Sequence, residues 1–196
     1  MTRDQVLYVA SMRDFVPHLE LTRQPGKVLI LDELFPKASP LVETIAQEMV
    51  KAAGGSGMIK LLSFQCHGFP GGIELYSGSL ASGNSSEVGT NDAGLRILVK
   101  DNVYKLSQFA DSMDRSGVCE LHSCNTAAAN SPTVSAPEGQ DNAKGPAPNT
   151  SSIGTEFMQA LANLLGVPVR AAIKVQGGET TVGWDGPTVT VQPATP

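Results

Sequence analysis

Short unbroken apolar runs alternate along this chain with stretches that keep a 3.6-residue period, which is the pattern of an α/β domain. Lys27-Val28-Leu29-Ile30-Leu31-Asp32 is an apolar run ending in an acid. It has the form of a strand buried on both faces of a parallel sheet and predicts the first core strand. Ser39-Pro40 reads as an N-cap with proline at the first helical position, and Leu41, Val42, Ile45, Ala46, Met49, Val50 and Ala53 follow on one stripe before Gly54-Gly55, so a helix is expected there. Residues 58–66 form a second apolar run, completing a strand–helix–strand unit whose crossover is right-handed. This strand ends at His67-Gly68.

Residues 69–78 are bounded by glycine and suit a small hairpin. From Leu95, apolar side chains at Leu98, Val99, Val103, Leu106, Phe109, Ala110 and Met113 keep the helical period until Gly117, predicting the longest helix. Residues 118–124 are short and more polar, and their strand assignment leans on the alternation of elements. A further helix is expected over 155–165, with Phe157, Leu161, Leu164 and Leu165 inward and Gly166 as its cap. A strand over 169–175 comes next. Residues 180–191 read as two strands around Asp185-Gly186, a C-terminal β-hairpin.

Two segments break the pattern. Residues 1–26 lack sustained periodicity, so they form a lead-in, an edge strand or docked arm closed by Pro25-Gly26. Residues 125–153 are rich in Ala, Ser, Thr, Asn, Pro and Gly with almost nothing large to bury, and are expected to be a flexible loop. The whole, 1–196, is read as a single domain, since 196 residues suit one core. Gly 20 and Pro 13 fit an α/β domain with long loops better than a helical bundle.

Composition narrows the function. Lys+Arg 14 against Asp+Glu 19, a net charge of -5, leaves no basic footprint for phosphates, so no nucleic-acid partner is expected. No run reaches the roughly 18 apolar residues of a membrane span. Arg3, Asp4, Arg13 and Asp14 interrupt what would be the apolar stretch of a cleavable signal peptide. The expected location is the cytoplasm, or an exported larger protein of which this chain is a part. Cys66, Cys119 and Cys124 cannot all pair within the chain and are read as free thiols.

Ligands collect where the strands of an open α/β sheet end at their carboxyl edge. His67 and Cys124 both stand at such ends. An imidazole in reach of a thiol takes its proton during attack and returns it to a leaving amine. Gly68, lacking a Cβ, lets backbone approach a carbonyl, so its N–H with that of Cys124 could hold an oxyanion. His122 shares a strand face with Cys124 and is an alternative base. Cys66 and Cys119 are read as small apolar fillers, Cys119 lying on the face opposite Cys124.

Residues 61–75, with their His67-Gly68, the later stretch 119–127 with Ser123-Cys124, and Gly154-Thr155-Glu156-Phe157 ahead of Val169-Arg170-Ala171 together resemble the caspase-like cysteine peptidases, in particular the cysteine protease domains of bacterial toxins and related bacterial surface-protein domains. The resemblance spans roughly residues 27 to 177. It implies a three-layer α/β sandwich with a mostly parallel central sheet, a peptide or protein substrate, no cofactor and no metal, with His67 as general base and Cys124 as nucleophile. It also implies self-cleavage within 125–153, where caspases carry a linker cut on activation. In that family the substrate's first side chain is gripped after the first core strand and after the strand following the nucleophile. Asp32 occupies the first region and would favour Arg or Lys, though an acid at a strand end also serves as a cap; Arg170 and Lys174 are near the second and push the opposite way. Inositol hexakisphosphate, held by many basic residues in the toxin domains, is not expected here.

Two other classes stay open. The scaffold could be a non-catalytic binding module with an inert dyad. Alternatively, Cys66, His67, His122 and Cys124 offer the sulfur and nitrogen that zinc prefers, provided the chain bends at 66–67.

Overall fold

The computed structural model describes residues 1–11, 26–36, 40–76, 97–123, 126–127, 153–173 and 187–194. Val6–Ala10, a continuous apolar run, is strand β1, buried along its whole length. It lies inside the sheet, paired in parallel with β2 (Lys27–Ile30) on one side and β3 (Ile59–Gln65) on the other. The lead-in is therefore a core strand, not an edge strand or arm. The run at 27–32, expected to be the first core strand, is the sheet's edge, with Val28 42% exposed. Its side chains are at most partly buried, Leu29 packing against the core, and Leu31–Leu34 turns into a short helix, α1.

Helix α2 (Val42–Ala53) buries Val42, Ile45, Ala46, Met49 and Ala53, the stripe expected of it. It begins after Leu41 rather than at Pro40, and Ser39 lies outside the described residues. Gly54 ends it at φ 81, and its N–H donates to the Val50 carbonyl, the left-handed cap that glycine adopts without strain. Strand β3 follows, then the hairpin β4 (His67–Phe69) and β5 (Gly72–Glu74), joined by Pro70-Gly71.

The expected long helix over 95–117 is absent. Ile97–Val99 is strand β6, which closes a three-stranded antiparallel sheet in the order β4-β5-β6. A 3₁₀ helix over Lys100–Leu106 and a single turn α3 (Ser107–Ala110) come next. The physical reason is the spacing of Val103, Leu106 and Phe109, all buried. Three-residue steps eclipse on a 3₁₀ helix and are hard to tell from a helical stripe in sequence. Asn102 fixes the change of element, accepting from the Val99 N–H at 2.8 Å and donating to the Ile97 carbonyl at 2.8 Å.

Met113, expected in that helix, instead opens β7 (Met113–His122), ten residues long. Gly117, expected as a helix stop, lies within it. There the register slips from Ile59↔Met113 to Leu61↔Val118, and a Cβ on Gly117 would approach the Lys60 and Asp114 carbonyl oxygens at 2.9 Å. The extra residues form a bulge that only a glycine accommodates against the neighbouring backbone. Helix α4 (Ile153–Leu165) and strand β8 (Val169–Ala172) return the chain in parallel beside β7. Leu164 is only half-buried, while Gly154, Met158 and Ala162 join the buried face. Strand β9 (Thr188–Val191) pairs antiparallel with β8. The turn expected at Asp185-Gly186, and the strand before it, lie outside the described residues, as does most of 125–153.

The result is an α/β fold around a six-stranded sheet, β2-β1-β3-β7-β8-β9, parallel except at β9. The described helices pack on one face over Leu7, Val9, Leu62, Phe64, Cys119, Leu121, Val169 and Ala171. Phe64, Phe109 and Phe157 are fully buried, and each such side chain contributes about 1.5–3 kcal/mol by leaving water. Val6, Tyr8 and Leu61, with Val118 against them, form a smaller cluster on the other face. No described helix is long and apolar enough to cross a membrane.

Candidate functional site

Strand alternation decides what the carboxyl edge of the sheet presents. At the end of β3, Ser63, Phe64, Gln65 and Cys66 are all buried and His67 is the first exposed residue. Cys66 packs with the helical side of the core, its thiol 3.8 Å from the Val9 carbonyl. Burial pushes that thiol well above its ordinary range, with the Glu74 carboxylate adding to the rise. Cys119 is likewise buried and raised, burial first and Glu120 second. Both are the fillers expected, since a thiol held protonated is a poor nucleophile and metal ligand.

His67 opens β4, and Gly68 follows it, half-buried and opposite Ile73. On the neighbouring strand the register ends with Gln65 opposite His122. Ser123 comes next, buried. Cys124 lies outside the described residues. Beyond it, Thr126 and Ala127 are buried. The Gly71 N–H donates to the Thr126 carbonyl at 3.3 Å, and the Ala127 N–H donates to the Ala172 carbonyl at 3.1 Å. The chain on both sides of residue 124 is thus tied to the chain on both sides of residue 67: Gln65 with His122 before them, Gly71 with Thr126 after.

His122 shares its face of β7 with Glu120, whose carboxylate is 2.9 Å from Nε2. Arg170, opposite Glu120 in the β7–β8 register, stands 3.7 Å from its other oxygen and 3.4 Å from the Thr188 hydroxyl. Both His122 and Glu120 are about one-fifth exposed. A carboxylate between an imidazole and a guanidinium across two strands forms a polar row at this end of the sheet. Lys174 lies outside the described residues.

Asp32 is half-buried in α1, after the edge strand, with β1 between that strand and β3. The first core strand is β1, so the region after it begins at Ser11, which is buried and donates its N–H to the Gln65 carbonyl at 3.0 Å. Asp32 therefore follows the edge strand rather than the first interior one. Tyr76, buried after β5, donates its hydroxyl to the Phe35 carbonyl at 2.6 Å and joins the hairpin to the turn after α1.

Sequence reasoning missed Glu120, whose signal was the every-second-residue series Glu120, His122, Cys124. Among the described residues no three of His, Cys, Asp and Glu converge as metal ligands. Cys66 turns into the core and His67 outward, the divergence that alternation demands of adjacent strand residues. A groove of about 560 Å³ opens at the opposite edge of the sheet, lined by Asp111, Asp114, Arg115, Asn163 and Gly166, far along β7 from His122. Comparison of the chain with protein-family models, with curated proteins and with solved structures finds no match.

Proposed function

We propose that the chain is a cysteine endopeptidase of caspase-like type, a three-layer sandwich in which Cys124 is the nucleophile and His67 the general base. The observation that carries this reading is the double tie across the carboxyl edge, Gln65 opposite His122 and Gly71 bonded to Thr126. Residues 67 and 124 each fall two positions after the last paired residues. The order of elements agrees with the resemblance: β3 ahead of His67-Gly68, β7 ahead of Ser123-Cys124, then α4 with Gly154 and Phe157, then β8. Burial of Val6, Tyr8 and Leu61 on the face away from the described helices is what a third layer requires.

In this mechanism the imidazole of His67 takes the proton from the Cys124 thiol as sulfur attacks the peptide carbonyl carbon. Backbone N–H groups at Gly68 and Cys124 hold the carbonyl oxygen as it becomes anionic. Collapse of the tetrahedral adduct breaks the C–N bond, and the imidazolium protonates the departing amine. Water, deprotonated by the same imidazole, then hydrolyses the thioester. The buried thiols of Cys66 and Cys119 are held protonated and take no part. The segment between residues 125 and 153 is a candidate substrate for self-processing.

The test is an active-site-directed electrophile with mass mapping. Labelling confined to Cys124 and lost in His67→Ala supports the peptidase. Labelling elsewhere, or labelling of Cys124 indifferent to His67, leaves a binding module on this scaffold.

A further inference from the structure

Residues 187–194 are held differently from the rest of the sheet. β1 is buried along its whole length, and Val169, Ala171 and Ala172 of β8 are fully buried, whereas no residue from 187 to 194 is. Among the described strands of the six-stranded sheet β9 alone is antiparallel, and no described strand pairs with its outer side. Its hold is through the main chain. Register pairs run from Val169↔Val191 to Ala172↔Thr188, and the Ile173 N–H donates to the Pro187 carbonyl at 3.3 Å. Val189 and Val191 rest against the core but are only half-buried.

Beyond β9, two side chains of α4 grip the chain. Gln159 and Asn163 stand about one turn apart and share a face of the helix, and Gln159 Nε2 donates to Asn163 Oδ1 at 2.8 Å. Gln159 Nε2 also donates to the Gln192 carbonyl at 2.9 Å, while Asn163 Oδ1 accepts the Ala194 N–H at 2.7 Å. Pro193 lies between them with no N–H of its own to satisfy. Both contacts are exposed to water, where a hydrogen bond adds little net stability. A segment with few buried contacts and solvent-exposed hydrogen bonds opens locally, well before the whole domain unfolds.

We propose that residues 187–194 are a displaceable strap, and that the edge of β8 it covers, with the Gln159–Asn163 clamp, is a docking slot for the same extended segment of a second copy of the chain. An uncovered strand edge is a template for another extended segment. The slot recognises main-chain groups and two inward valines, so a second copy reproduces every contact of the first, the condition for exchange at low cost. The segment carries no charge, and no like charges meet when two copies exchange it. Neither His67 nor Cys124 takes part.

The experiment is hydrogen exchange of the full chain read by mass spectrometry, joined to binding of a fluorescein-labelled peptide of residues 187–194. The β9 amides bonded to β8 should exchange at least about a hundredfold faster than those of β3. Gln159→Ala with Asn163→Ala, both on the solvent side of α4, should speed β9 exchange by roughly tenfold or more, the effect of two exposed hydrogen bonds, and leave β1 and β3 unchanged. The same variant should bind the peptide faster than the wild type by a similar factor, and a peptide carrying Val189→Asp and Val191→Asp should not bind. At high concentration the variant should form a dimer that the free peptide dissociates. β9 amides that exchange at the rate of β3, a comparison needing only the wild type, overturn the strap. A peptide that fails to bind the variant, or binds equally well with both aspartates, overturns the slot. A variant that binds peptide yet stays monomeric overturns the second copy as its occupant.

Discussion

The amide of Gly71 donates to the carbonyl of Thr126 at 3.3 Å, joining the turn after His67 to the chain just after Cys124. Gly71 is buried, has φ 84, and a Cβ placed on it would overlap the Ile153 side chain. The hairpin, the chain just after β7 and the start of α4 therefore meet at one glycine.

Gly71→Ala should destabilise the fold by about 2–5 kcal/mol, combining roughly 1–2 for left-handed backbone with about 1–3 for overpacking. Urea unfolding measures it. Ile153→Ala in the same background should recover the overpacking part and leave the backbone part, and a full recovery would show the conformation to be unstrained.

Gly154→Ala reverses an ordinary expectation. Alanine in a helix normally gains about 1 kcal/mol over glycine. At Gly154 the added Cβ would sit 2.6 Å from the Thr126 carbonyl oxygen and 2.8 Å from Ala127 Cα, backbone atoms that cannot rotate away. The variant should melt below the wild type, and a higher melting temperature would count against this packing.

The buried thiols make stability sensitive to alkali. Cys66 and Cys119 have pKa values raised from an ordinary 9.0. Above pH 9 the unfolded chain releases protons that the folded chain retains, so the folded state is favoured less as pH rises. The slope should approach about 1.4 kcal/mol per pH unit for each thiol. Replacing Cys119 by Ala should flatten the fall between pH 9 and 11, measured by denaturant midpoints. Neither thiol should react with iodoacetamide until the protein unfolds.

Catalysis offers the functional check. His67→Ala should lower peptide cleavage by about 10²–10⁴-fold, the usual contribution of a general base, while Cys124→Ala should abolish it. Far-ultraviolet circular dichroism should be unchanged in His67→Ala, because His67 is exposed at the start of its strand. Cleavage that survives both substitutions would reassign the reaction.

The reading from sequence succeeded where one physical signal spoke alone. The stripe of Val42, Ile45, Ala46 and Met49 has no competing pattern, and α2 followed it. The continuous runs at 59–65 and 169–172 gave parallel strands in register with β7. It failed where two periods coincide. Val103, Leu106 and Phe109 fit three-residue steps, and Leu98 and Met113 on either side belong to strands. It also misplaced the interior of the sheet: Val6–Ala10 is only five residues and was read as a lead-in, yet pairing on both sides buries it fully. His67 and its glycine were legible because they interrupt an apolar run. The pairing of Glu120 with Arg170 was not, because it lies in cross-strand register, which no local pattern carries.

Ala127 and Gly154 lie against each other, so the two ends of the segment between them are side by side. The entropy of closing a connection between ends held side by side grows only slowly with its length. Doubling its length would cost only about 0.6 kcal/mol, and severing it would leave the parallel ladder of Cys119, Glu120 and Leu121 with Val169, Arg170 and Ala171 to hold the two pieces together.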